Sequence, residues 1–236
     1  MRIGIRARAS SFSSLSTALL VLGCASAFAP SQAQAQAHAQ AGAQLQGDLG
    51  LNAQLLGAAR TGEIANVDRL LRQGAAPNSR NRLGKTPLLI ASEKGDLALA
   101  ERLLDAGADV NLASLEQVTP LMAASFGGHA VVVRRLLRAG AKVDARDRMH
   151  KPAIVYAAGH GHVDVLAALV EAGVDVNASY EQRLTVLMWA AGQGHEPAAR
   201  WLKEHGARLD ARDDRGLSAA EIARREGHTA VVRVLE

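Results

Sequence analysis

The sequence contains a single cysteine, Cys24, which lies near the start of the chain. The residues that follow it can form no internal disulfide, so their stability must come from packing. Aromatic residues make up only 3% of the 236 residues, whereas apolar residues make up 48%. Small and aliphatic side chains must therefore build the core, which favours packed helices over a β-sandwich or a large aromatic pocket.

Acidic residues are also missing from the start of the chain, where the first is Asp48. Three arginines precede an apolar stretch at about 15–29, and small residues then alternate as they do at a signal-peptidase site. We therefore expect residues 1–35 to be a signal peptide, cut somewhere between positions 27 and 35. The apolar stretch is shorter than the roughly 20 residues that a membrane-spanning helix needs.

Two alternatives to a cleaved secretory leader are open. A serine-rich and arginine-rich segment without acidic residues also resembles a mitochondrial presequence, although the uninterrupted apolar block Ala18–Gly23 favours secretion. Val21-Leu22-Gly23-Cys24 resembles a bacterial lipobox, in which case Cys24 would be lipidated and would anchor the protein to a membrane. We expect a periplasmic protein, with a lipid-anchored envelope protein as the alternative.

Most of the net positive charge of the chain lies in the leader. Its removal takes three of the 27 basic residues and none of the 23 acidic ones, so the mature chain is nearly neutral. Nucleic-acid binding needs a concentrated basic surface, and the sequence gives no support for such a partner. Residues 36–47 are rich in Ala and Gln, and we expect them to be a flexible tether.

A period of 33 residues runs through positions 48–236 and predicts a solenoid of about six copies. The copies lie near 48–80, 81–113, 114–146, 147–179, 180–212 and 213–236. Two glycine series and one alanine series keep the period. The first glycine series is Gly62, Gly95, Gly128, Gly161, Gly194 and Gly227, and the second is Gly74, Gly107, Gly140, Gly173 and Gly206.

The second copy shows how one unit is built. Thr86 has the side chain of a helix N-cap, Pro87 suits the first helical position, and Gly95 suits the end of that helix. A second helix is predicted over about 97–106. The chain then turns back around Gln117, so each copy consists of two antiparallel helices and a projecting loop.

Gly84-Lys85-Thr86-Pro87-Leu88 and Gly107-Ala108-Asp109-Val110-Asn111 closely resemble the repeat motif of the ankyrin-repeat family. The resemblance covers residues 48–236. It implies an all-α solenoid in which helix pairs stack side by side and β-hairpin-like fingers project from one edge. It also implies that function lies on the concave side, formed by the finger tips and the first helix of each pair.

Some copies depart from the motif. Pro152-Ala153 stands where Thr-Pro is expected, so the fourth helix pair lacks a hydroxyl cap worth about 1 kcal/mol. We predict that this pair is a weak point of the stack. The first and last copies are more polar, as the ends of a finite stack require.

Residues with catalytic or metal-binding chemistry are few. His129, His162, His195 and His228 share one repeat position, and stacked copies roughly 10 Å apart cannot bring them to one ion. We interpret them as architectural. His160 and His162 are the best metal pair, but they lack a third ligand. No catalytic motif stands outside the repeat, so we expect no enzyme, no cofactor and no metal.

The candidate site is therefore a surface for an unidentified protein partner, presented by a monomer. Arginine, tyrosine and exposed apolar residues suit a protein interface. We predict instead that Tyr156 and Trp189 pack between copies. The predicted binding residues are Arg80, Arg82, Lys85, Leu115, Glu116, Val118, Phe126, Arg146, Arg148, Lys151, His160, Tyr180, Glu181, Leu184, Gln193, Arg212 and Asp214.

Overall fold

The computed structural model of the protein describes residues 50–236, so the predicted leader, Cys24 and the tether lie outside the described residues. Between residues 50 and 236 the regular structure is helical, apart from one isolated β-bridge between Ser179 and Thr185. The all-α prediction is confirmed. None of the helices in this range is long and apolar enough to cross a membrane.

The helices alternate as first and second members of pairs. In chain order they are α1 (50–61), α2 (Ile64–Arg72), α3 (Pro87–Lys94), α4 (Leu97–Asp105), α5 (Pro120–Phe126), α6 (Ala130–Arg138), α7 (Ala153–Gly159), α8 (Val163–Glu171), α9 (Val186–Gly192), α10 (Glu196–Glu204), α11 (Ala219–Arg225) and α12 (Thr229–Leu235). A short 3₁₀ helix, Glu181–Arg183, precedes α9.

The pairs stack into a single array. From α3 to α11 each odd-numbered helix packs on the next odd-numbered helix, and the even-numbered helices do the same in a second row. Most of the odd-numbered helices lie closer to one another than the even-numbered ones do. The array therefore curves towards the odd-numbered helices, which form its concave side together with the fingers.

Helix caps explain where the odd-numbered helices begin. The side-chain oxygens of Thr86, Thr119 and Thr185 accept hydrogen bonds from backbone N–H groups in the first turns of α3, α5 and α9. Ser218 caps α11 in the same way. Pro152 holds the corresponding position before α7 with the same extended backbone but no hydroxyl, as the sequence predicts.

Left-handed backbone ends the helices and turns the fingers. Gly95 ends α3 with a φ of 71°, and the other members of both glycine series also have positive φ. A third series with the same period marks the finger turns, and only two of its members are glycine. These positions are Gly84, Gln117, His150, Arg183 and Gly216, with φ between 55° and 77°.

The fingers predicted as hairpin-like are tight turns. Each closes on a backbone hydrogen bond between residues four apart, such as that from Asn81 N to Lys85 O at 3.0 Å. Counted by copy, the second to the last fingers are centred on 81–85, 114–118, 147–151, 180–184 and 213–217. The Oδ1 atom of Asn81 also accepts from the N–H groups of Leu83 and Lys85. Asp147 and Asp213 repeat this arrangement in the fourth and last fingers.

Side chains join each helix pair to the next. The Nε2 atoms of His129, His162, His195 and His228 lie 2.9–3.2 Å from backbone carbonyl oxygens 36 residues earlier. In the second copy Asp96 occupies this position and caps α4. The corresponding carbonyl, that of Arg60, accepts instead from Lys94 Nζ at 2.6 Å. The substitution at the second copy is thus compensated by a neighbour.

Asparagines form a second set of links. Asn111 donates to the carbonyl of Gly140 at 3.2 Å and accepts from the N–H of Lys142 at 2.9 Å. Asn78 and Asn177 bridge their neighbouring copies in the same way. Asp144 occupies this position in the third copy, where it has no amide group to donate. The link between the third and fourth copies is therefore incomplete.

One continuous apolar core runs through the stack from Leu55 to Leu235. The predicted alanine series lies within it. Ala58, Ala91, Ala124, Ala157, Ala190 and Ala223 are all buried. Small side chains at this position allow the odd-numbered helices to approach each other closely.

Candidate functional site

The concave face, which is formed by the fingers and the exposed sides of the odd-numbered helices, carries the candidate site. None of the predicted binding residues is buried in the structure. They do not form one pocket. Instead about half of them line a series of grooves along the concave face, and the rest lie on the fingers outside these grooves.

The central groove is lined by residues of the second, third and fourth copies, most of them on α5 and the neighbouring fingers, and has a volume of about 550 Å³. Phe126 and Met149 stand at its edges, 53% and 55% exposed. Both residues line the same groove, and exposed apolar side chains that are grouped, unlike single ones, are typical of interaction sites. The lining residues are Lys85, Glu93, Val118, Met122, Ala123, Phe126, Met149 and Tyr156.

Aromatic contacts connect residues of the central groove to one another and to α7. The ring of Phe126 meets that of Tyr156 edge-on, with centroids 5.9 Å apart, and lies 4.3 Å from that of His160. The hydroxyl of Tyr156 donates to the carboxylate of Asp147. Burial raises the pKa of Tyr156, and the hydrogen bond and charge of Asp147 raise it further. Tyr156 is therefore a neutral donor that joins α7 to the fourth finger.

The pKa of His160 is shifted in the opposite direction. Burial lowers it first, and the neighbouring His162 and His195 lower it further. The imidazole is therefore neutral near pH 7 and presents an apolar face to Phe126. In residues 50–236 no group of three or more His, Cys, Asp or Glu side chains is arranged to hold a metal ion.

Cation–π contacts continue the surface beyond the central groove. The Nζ atom of Lys151 lies 4.6 Å from the ring centroid of Trp189, and the guanidinium of Arg146 lies 5.5 Å from that of Tyr180. Burial raises the pKa of Tyr180, although the charge of Arg146 opposes the shift. Both contacts place a cation of the fourth finger on an aromatic ring of the fifth copy.

Several basic side chains of the fingers already have partners. Lys85 pairs with Glu93 at 2.6 Å, and Arg148 with Glu116 at 3.4 Å. Arg80 has a structural role, because its guanidinium donates to the carbonyl groups of Gly84 and Ala113. Arg82 makes no ion pair within the described part of the chain, so its charge is available to a ligand.

The predicted residues fall into separate groups along the concave face. Lys85, Val118 and Phe126 line the central groove, whereas Arg80 and Arg82 line a groove of about 440 Å³ beside α1. Arg212 lies near the other end, where it pairs with Glu221 at 3.0 Å. These two ends are too far apart in the stack to contact one small ligand together.

Sequence reasoning missed part of the groove lining. Tyr156 and Trp189 were predicted to pack between copies, and both do pack against the core, but they also line grooves, which was not predicted. Met122 and Met149 were not predicted at all. The repeat register contained a signal for Met149, because it shares a fingertip position with Leu83, which is 62% exposed. No comparable signal marks Met122, which is buried between copies.

The profile of the family described as ankyrin repeats (three copies) matches the sequence in four overlapping placements. They cover residues 29–114, 55–147, 91–180 and 154–236. Among curated proteins no sequence match was found. The profile matches span most of the sequence and agree with the stacked helix pairs, so the chain belongs to the ankyrin-repeat family, whose repeats serve as protein–protein interaction modules.

Proposed function

We propose that this protein is exported and binds a partner protein through its concave face and finger tips, acting as a scaffold or an inhibitor. The observation that carries the proposal is the central groove, where exposed Phe126 and Met149 line the same surface as Lys85, on a face whose fingers carry further arginines and lysines. Apolar anchors surrounded by cationic and polar groups are typical of protein interfaces. The curvature of a repeat array favours such an extended contact.

A native pull-down tests this function. The full chain is expressed from its own leader in a bacterium, and the periplasmic fraction is compared with a variant carrying Arg82→Glu, Arg148→Glu and Tyr180→Ala. A matched control carries Arg134→Glu, Arg138→Glu and Val131→Ala on α6, where all three side chains are exposed. We expect a stoichiometric partner that the concave variant loses and the α6 control keeps. A partner lost only in the α6 control would contradict the proposal.

The second candidate is a lipid-anchored structural protein of the envelope. The observation that favours it is Val21-Leu22-Gly23-Cys24, which resembles a lipobox. It predicts that the protein incorporates radiolabelled palmitate and sediments with membranes, and that Cys24→Ala abolishes both. A Cys24→Ala protein that stays with the membrane fraction would contradict this candidate.

A further inference from the structure

The central groove is large enough to receive a large side chain. Its volume of about 550 Å³ falls within the range of about 300–1,000 Å³ that small-molecule sites occupy, so one inserted side chain would fill only part of it. Val118, Met122, Phe126, Met149 and Tyr156 supply an apolar lining. Leu115, which is 56% exposed, extends the apolar surface at the third finger.

This lining is held in place before any ligand binds. The backbone carbonyl of Phe126 is bonded to His162 Nε2 at 2.9 Å, and Tyr156 is tied to Asp147. The fingers on both sides are also joined, because Arg148 N donates to Glu116 O at 3.2 Å and Leu115 N donates to Leu83 O at 3.0 Å. Because these side chains and fingers are already ordered, ligand binding costs them little conformational entropy.

Basic side chains predominate on the fingers to either side of the groove. The second and fourth fingers, with the residues just before them, carry Arg80, Arg82, Lys85, Arg146, Arg148 and Lys151, of which Lys85 lines the groove. The third finger carries no cation, and Glu93 and Glu116 are the acidic partners of Lys85 and Arg148. Across residues 50–236, Arg80, Arg82, Arg146 and Lys151 form no ion pair with a carboxylate. Arg80 donates to carbonyl oxygens, Arg146 contacts the carbonyl oxygen of His150 and the ring of Tyr180, and Lys151 contacts the ring of Trp189.

We propose that the central groove binds an acidic segment of a partner protein that inserts one large aliphatic or aromatic side chain between Phe126 and Met149. This inference rests on the proposed protein-binding function and specifies the chemistry of the partner. The inserted side chain is removed from water by the apolar lining. Acidic residues on either side of it then complement the cations of the second and fourth fingers and steer the approach.

The recess of the groove favours a peptide segment over a membrane surface. Phe126 lies at the end of α5, behind fingers that project beyond the odd-numbered helices, whereas Met149 lies on the fourth finger. A planar lipid surface contacts the finger tips first, where each exposed apolar residue, Leu83, Leu115 and Met149, is next to a charged one in the sequence, and it does not reach Phe126. An extended or helical segment can instead follow the concave face and lower one side chain into the groove.

Selection from a random peptide library tests the inference. The library is displayed on phage and selected against the immobilised full chain, and enriched peptides are synthesised for titration. We expect enriched peptides to carry one large apolar residue with Asp or Glu on both sides. Replacement of that apolar residue by Ala should weaken binding about tenfold or more, and salt raised from about 50 to 300 mM should weaken it several-fold.

Matched variants test whether the selected peptides bind in the central groove. Phe126→Ser and Met149→Ser should each weaken binding about tenfold, and Arg82→Gln with Arg146→Gln should weaken it several-fold and reduce the salt dependence. Val131→Ser on α6 removes an equally exposed apolar side chain and should leave the affinity unchanged. The variants should fold, because the altered side chains are exposed, and circular dichroism checks that each one does.

Several results would overturn the inference. They are enrichment of neutral or basic peptides, binding that survives Phe126→Ser, failure to enrich any peptide, and Phe126-dependent binding to anionic phosphatidylglycerol vesicles. These outcomes are distinguishable from failure of the proposed function. A partner recovered in the pull-down and lost in the concave variant would still support protein binding, even if the selected peptides had a different chemistry.

Discussion

The Nε2 atom of His162 lies 2.9 Å from the carbonyl oxygen of Phe126, 36 residues earlier in the chain. One contact therefore joins two copies of the repeat and fixes the backbone that presents Phe126 to the central groove. The imidazole also fills the space beside Gly128, where an added Cβ would lie 2.7 Å from the ring. Stability of the stack and geometry of the candidate site depend on the same pair.

His162→Ala should lower the free energy of unfolding by about 1–2 kcal/mol, because it removes this hydrogen bond and leaves a carbonyl without its partner. Urea unfolding followed by circular dichroism measures the change. His160→Ala is the matched control, since His160 is exposed and lies two residues away. An equal loss in both variants would show that the contact to Phe126 contributes nothing specific.

A restored cap on α7 should stabilise the fourth copy. Pro152→Thr with Ala153→Pro recreates the arrangement at Thr86, and Pro152 already has the extended backbone that an N-cap requires. The expected gain is about 1 kcal/mol. Hydrogen exchange should slow across Ala153–Gly159, while exchange in α5 stays unchanged. Exchange in wild-type α7 that already equals α5 would contradict the predicted weak point.

The missing asparagine link gives an independent test of the same region. Asp144→Asn supplies an amide that can donate to Gly173 O and an oxygen that can accept from Asp175 N. By analogy with Asn111, the free energy of unfolding should rise by about 1 kcal/mol. The reverse change, Asn111→Asp, should lower it by a similar amount. Asp144→Asn without effect would show that these bridges add no net stability.

The last finger should be sensitive to acid. Burial of Asp213 opposes its ionisation, but the N–H of Leu217 and the side chain and N–H of Arg215 outweigh this effect and hold its pKa below the usual 3.8. Because the folded-state pKa is the lower one, the carboxylate stabilises the fold above about pH 4, and the contribution is lost as pH falls through the folded value.

Asp213→Asn isolates this contribution. The wild type should be more stable than the variant at about pH 7, and the difference should shrink at a second, acidic pH below 3.8, as the carboxyl protonates in the folded state. Urea unfolding at both pH values measures it. Asp214→Asn, at an exposed neighbouring position, is the control. A difference that stays constant with pH would show that ionisation of Asp213 does not stabilise the finger.

The repeat architecture was predictable because each helix is encoded locally. Thr86 and Pro87 specify a helix start, Gly95 specifies its end, and a constant period carries the assignment along the chain. Gln117 was correctly predicted as a turn, with a φ of 60°. Arg183 adopts the same left-handed backbone without a residue type that favours it, so only its register indicates the turn.

The candidate site was less predictable because it depends on neighbouring copies. Met149 and Met122 are far apart in sequence, and their shared groove exists only after the fourth finger packs beside α5. The hydrogen bond from Lys94 Nζ to Arg60 O, which replaces a histidine contact, was equally unpredictable, because nothing in the sequence around Lys94 indicates this partner. Contacts of this kind follow from the spacing between copies, which a motif does not contain.

Site-specific photocrosslinking tests the central claim most directly. A photoreactive phenylalanine analogue is placed at Phe126 or at Val131, which are 53% and 56% exposed and lie on opposite members of one helix pair. The full chain is then irradiated in the bacterium used for the pull-down. We predict one discrete protein adduct from position 126 and none from position 131. Adducts from position 131 alone, or from neither position, would contradict a binding site on the concave face.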